Sequence, residues 1–118
     1  MKVACIALAA LILAGCAASP TDFSEHETQL AAKVRAYPAS AVAPGNTVIG
    51  PVRSVTCDSG SFSRFPGTEG EGVWLLKLET ARLGGNAVVQ YSCRTRGFDP
   101  ASGCRESKRC EGKAARLD

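Results

Sequence analysis

Apolar positions fall into one stretch with a helical period and several short runs that read as strands. From about Glu71 to Leu83, the residues Val73, Leu76, Thr80 and Leu83 recur three and four apart, which is one face of an α-helix. Trp74 and Leu78 form a second stripe beside it, which predicts a broad core face, the alternative being a partner-binding ridge. Thr68 and Glu71 match a capping box at its start, although Gly70 and Gly72 weaken that turn, and Gly84-Gly85 ends the helix. Val34 to Tyr37 alternates and stops at Pro38, a short strand. Val48 to Val55 is strand-like, and Pro51 confines it to a sheet edge or a bulge. Asn86 to Cys93 is the clearest strand, and Cys104 to about Arg116 reads as a final polar one. Residues 58 to 70 and the segment around Asp99-Pro100 read as loops. Together these elements predict a small α+β domain over 34–118, with one main helix packed on a twisted, mostly antiparallel sheet.

The N-terminal third follows other rules. Lys2 precedes an uncharged apolar stretch from Val3 to Ala14, twelve residues long. That is too short for a helix crossing a hydrocarbon core, which takes roughly 20 residues. It matches the apolar region of a secretory signal peptide over 1–15. Leu13-Ala14-Gly15-Cys16 has the pattern of a bacterial lipobox, with cleavage between Gly15 and Cys16 and lipid on the Cys16 thiol. A diacylglycerol plus an N-acyl chain on Cys16 anchors effectively for good, because each buried methylene contributes about 0.8 kcal/mol. Ala17 stands where Asp commonly signals inner-membrane retention in enteric bacteria, which points to the outer membrane, with the body facing the periplasm. Residues 16–33 then read as a lipidated N-terminus and flexible tether of fluctuating helicity, although Ser24 and Glu27 have capping-box spacing. His26 lies in this tether as a solvated residue.

Composition narrows the chemistry. The 118-residue chain is 45 % hydrophobic and 21 % charged, which argues against wholesale disorder. Its formal charge of +3 has no run of five like charges, so no nucleic-acid-binding arm is expected. With one histidine, no Ser/His/Asp set and no phosphate loop, the chain reads as a non-enzyme; Glu69 and Glu71 sit on glycine-flanked backbone that is a poor place to raise a carboxylate pKa. Cys5 leaves with the signal and Cys16 takes lipid, so four of the six cysteines remain for the body: Cys57, Cys93, Cys104 and Cys110. In an exported domain an even set reads as two disulfides, whose three possible pairings the spacing does not separate. The absence of a Cys-x2-Cys pair disfavours zinc and redox roles, so no metal or other cofactor is expected beyond the lipid.

Several motifs fall in a familiar order: Val34-Arg35-x-Tyr37, Ile49-Gly50-x-Val52 running into Cys57, Asn86-Ala87-Val88, Ser92-Cys93, and Gly103-Cys104-x5-Cys110. From Val34 to the end the chain thereby resembles the RcsF family, outer-membrane lipoproteins that sense envelope stress for the Rcs phosphorelay. The resemblance implies crossed bridges, Cys57–Cys104 and Cys93–Cys110. It implies outer-membrane β-barrel proteins and an inner-membrane regulator as partners, alongside the membrane itself. The family tether is longer, proline-rich and basic, whereas this one carries only Pro20. A structural or assembly lipoprotein with the same fold and no signalling role is the alternative. For a partner surface, the basic C-terminal stretch stands out, centred on Arg105, Lys108 and Arg109 and including Arg94, Arg96, Lys113 and Arg116.

Overall fold

The structure, a computed structural model, describes residues 23–58, 68–98 and 103–118. The expected signal peptide and lipobox with Gly15 and Cys16, most of the expected 58–70 loop and the Asp99-Pro100 segment lie outside these residues. Two helices and four strands follow the order α1 (Glu25–Ala31), β1 (Arg35–Pro38), β2 (Asn46–Asp58), α2 (Glu69–Arg82), β3 (Ala87–Arg96) and β4 (Glu106–Leu117). The strands form one sheet in the order β1-β3-β4-β2. β4 is antiparallel to both β2 and β3, and β1 is parallel to β3. This is the expected α+β architecture, and β2 is indeed an edge strand, where Pro51 can do without a ladder donor.

The main helix starts two residues before the expected Glu71. Thr68 caps it, its side chain accepting from the Glu71 N–H at 3.2 Å. The other end is a Schellman turn. Gly84, at φ 84°, donates to Ala81, and Gly85 donates to Thr80 at 2.9 Å. Arg116 adds a hydrogen bond to the Gly84 carbonyl at 2.7 Å. The two stripes of α2 face two neighbours. Leu76 packs into a core with Val34, Val52, Val88, Cys110 and Ala114, while Leu75 and Leu78 pack on Ala31 of α1. Of the expected face, Leu76 and Thr80 are buried, Val73 is half-buried and Leu83 is exposed. The approach of α2 to the sheet is close. Ser54 donates to the Gly72 carbonyl at 2.7 Å, and a Cβ on Gly72 would lie 2.6 Å from Cys110 Sγ. The Gly72 that weakens the first turn is therefore what lets the helix settle onto the sheet.

The expected tether needs correction. Its second half is α1, closed by a full capping box: Ser24 accepts from the Glu27 N–H at 3.1 Å and Glu27 accepts from the Ser24 N–H at 3.2 Å. A seven-residue helix is marginal alone, but this one is docked. Arg82 of α2 donates to Glu27 at 2.7 Å and its guanidinium lies 4.3 Å over the Phe23 ring. The Arg82 hydrogen bond, then the Ser24 N–H, hold the Glu27 carboxyl down at about 2. Glu69, expected in the loop, joins Glu71 in the first turn of α2, where burial raises the Glu71 pKa despite the glycines around it.

Both disulfides are present, with Cys57 bonded to Cys104 and Cys93 to Cys110. In the loop-entropy description these loops contribute roughly 4 and 3 kcal/mol as upper estimates. That is a large share of the ~5–15 kcal/mol of an ordinary domain.

Candidate interaction surface

A bulge decides which side chains reach the open side of the sheet. In β3 the register shifts between Val89 and Ser92, so that Gln90 and Tyr91 oppose the single Gly112 of β4. Gln90 takes φ 54°, and a Cβ on Gly112 would lie 2.9 Å from Val88 and 3.0 Å from Tyr91. One extra residue exchanges the faces of everything after it. Beyond the bulge Tyr91 and Cys93 pack toward the core under α2, so Arg94 and Arg96 stand on the far side.

The other strands keep simple alternation. Val52, Ser54 and Thr56 of β2 are buried beneath α2, leaving Arg53 and Val55 exposed on the opposite face. In β4 Cys110 and Ala114 point inward, leaving Arg109, Glu111 and Lys113 outward and exposed. Register then assembles the open face. Arg109 lies between Val55 and Arg94, Glu111 lies between Arg53 and Ser92, and Lys113 lies between Pro51 and Val89. One end of this face is closed by a small cluster of Ala87, Val89 and Ala115 with Tyr37, Ala43 and Leu117. Among the described residues the remainder carries five cations, Arg53, Arg94, Arg96, Arg109 and Lys113, against Glu111. The two close ion pairs among the described residues are Arg82–Glu27 and Lys108–Glu106, so none of these five is held in one, although Arg53 stands opposite Glu111 in register.

The expected partner surface is therefore split. Arg109 is on the open face and Arg105 is exposed just before β4. Lys108 has the parity of Cys110 and lies on the α2 side, half-buried, donating to Thr95 and at 3.3 Å to Glu106. Arg116 is taken up at the end of α2. The cation missed from sequence is Arg53, more than fifty residues before Arg109. The alternation of Val52, Ser54 and Thr56 would have set its parity, but not the pairing of β2 with β4. Where β2, β3 and β4 end together, a hollow of about 430 Å³ is lined by Val55, Arg96, Phe98, Cys104, Ser107 and Arg109. Val55 and Phe98 are 58 % and 70 % exposed, so its apolar wall is open to a partner.

A second hollow, also about 430 Å³, runs beside the first half of α2 between Glu69, Val73, Trp74, Lys77 and Tyr91. Among the described residues there is no group of three or more His, Cys, Asp or Glu placed to hold a metal ion. No helix among them is long and apolar enough to cross a membrane.

No family model matches the chain, and no curated protein matches it significantly. Among solved structures, it is similar to a crystal structure of a DUF74-family protein of unknown function from Pediococcus pentosaceus. That likeness has a TM-score of 0.53 at 15 % identity and covers 74 % of this chain and 99 % of the other. At that identity it speaks for the fold alone.

Proposed function

We propose that the chain is an outer-membrane lipoprotein, anchored through lipid on Cys16, that senses envelope stress and signals to an inner-membrane regulator of a phosphorelay. The observation that carries this reading is the crossed cysteine pairing, Cys57–Cys104 with Cys93–Cys110, which the resemblance implies and which spacing alone leaves open among three. The lipobox and Ala17 supply the anchor and the membrane.

The mechanism is control of access. Outer-membrane β-barrel proteins hold the body in the unstressed envelope, and failure of that capture frees it for the regulator, a two-state equilibrium biased by differential binding. Residues 16 to 33 reach roughly 58 Å when fully extended, and with α1 docked the span from Cys16 to Phe23 reaches only roughly 24 Å. A body held that close to the outer membrane meets an inner-membrane partner only if the partner reaches out to it.

The test moves the anchor. In a host that obeys the sorting rule, Ala17→Asp holds the lipoprotein at the inner membrane and turns a stress reporter on without stress. A silent reporter despite confirmed retention overturns the sensor reading in favour of an accessory lipoprotein. Cys16→Ser removes labelling by a palmitate analogue, and labelling that persists overturns the anchor.

A further inference from the structure

We infer that the open sheet face is a docking surface for an acidic protein segment that carries a bulky apolar residue among its carboxylates. The inference deepens the sensor reading by naming the surface, and it rests on that reading only for the direction in which the face looks.

Three observations converge. First, Arg94 and Arg109 are direct cross-strand partners on the same face. Side chains so placed have Cβ atoms about 5 Å apart, and like charges there are unfavourable. With Arg53, Arg96 and Lys113 nearby and, among the described residues, Glu111 as the acid on this part of the face, the cations keep an electrostatic strain that a carboxylate ligand relieves. Guanidinium groups bind carboxylates in bidentate fashion, and an array on pleated strands holds them at fixed spacing.

Second, the hollow at the end of the face joins charge to apolar surface. Arg96 and Arg109 line it together with Val55, Phe98 and the Cys104 half of the Cys57–Cys104 bridge. A small inorganic anion has no use for the apolar wall. A peptide that inserts one apolar side chain while its acids pair with the arginines uses both.

Third, the anchor enters from the other layer. The chain arrives through Phe23 and α1, which pack on α2, and α2 covers the opposite face of the sheet. The cationic face is thus separated from the anchor side by the helix layer, which favours a protein over the headgroups of the membrane that holds the lipid.

The test uses the unlipidated mature chain, residues 16–118 with Cys16→Ser. Its probes are a short fluorescent peptide of glutamates around a central leucine pair, and vesicles of phosphatidylethanolamine and phosphatidylglycerol. The peptide binds, and binding weakens with added salt. The double variant Arg94→Glu with Arg109→Glu lowers affinity roughly tenfold or more. Arg94→Gln with Arg109→Gln gives a smaller loss in the same direction and guards against misfolding of the reversed variant. The charge-matched control, Lys33→Glu with Lys77→Glu on the helical side, leaves affinity within about twofold. Absence of peptide binding, or an equal loss in the control pair, overturns the proposal. So does vesicle binding that depends on Arg94 and Arg109 while peptide binding does not. The binding assay contains no signalling partner, so its failure leaves the anchor-moving experiment standing, and the reverse holds as well.

Discussion

Alternate residues of β2, β3 and β4 live in two different surroundings. Beneath α2, Val52, Ser54, Thr56, Cys93 and Cys110 are buried or half-buried, joined by a disulfide and by the Ser54 hydrogen bond to Gly72. One residue away along each strand, Arg53, Val55, Arg94, Arg109 and Glu111 are exposed. The backbone geometry is shared, so the difference comes from side-chain parity and from the single bulge that resets parity in β3. The larger core cluster lies on the covered face, while the open face is stapled and packed only at its two ends, which leaves its middle free to carry a like-charge pair that a core could not accept.

The sharpest break of this contrast is truncation on each side. Leu76→Ala, which empties the centre of the covered face, costs about 3 kcal/mol in urea unfolding. Arg94→Ala changes stability by no more than about 0.5 kcal/mol, with a stabilising sign expected from relief of Arg109. Next comes a pair of glycines two residues apart. Gly70→Ala stabilises by roughly 0.5–1 kcal/mol, since helix propensity rises and nothing lies within 4 Å of the new methyl. Gly72→Ala destabilises by about 1–3 kcal/mol, because its methyl meets Cys110 Sγ. Equal effects at the two positions would mean that α2 stands farther from the sheet than described.

A smaller effect concerns Thr80, whose buried hydroxyl has no partner among the described residues. Thr80→Val removes the unpaired oxygen and should raise stability by about 1 kcal/mol in thermal unfolding. The last is a pH dependence outside the sheet. Glu27 titrates lower in the folded protein, at about 2, than its ordinary 4.5. Its contribution is therefore fully present above about 4.5 and is lost as pH falls toward about 2. Protection of the α1 amides, taken relative to their intrinsic exchange rates, should fall across that window in the native chain and show no such step in Glu27→Gln.

How much of this was legible in the sequence depended on the range of the interaction. The cap at Thr68, the glycine turn after Arg82 and the strand from Asn86 are written within a few residues, and each was readable. The capping box of α1 was readable too, but its docking was not. Ala31 meets Leu75 and Leu78 more than forty residues on, and a short amphipathic stretch does not announce its partner. The split of Lys108 from Arg109 was available in principle, because parity with Cys110 separates them. The gathering of Arg53 with Arg94 was not, since it needs the strand order and the bulge at Gln90.

The docked α1 also sets a load path. Tension arriving through the N-terminal segment falls first on the contact of Ala31 with Leu75 and Leu78 and on the Arg82–Glu27 clasp, none of it covalent. Behind them stands β1, four residues in parallel register on β3. The three longer strands come last, and disulfides cross-link them. On the proposed anchoring at Cys16, a pull that peels α1 away while the stapled sheet holds lengthens the reach from Cys16 to the body from roughly 24 Å to roughly 58 Å. On that reading, the element that shortens the leash is also its release catch.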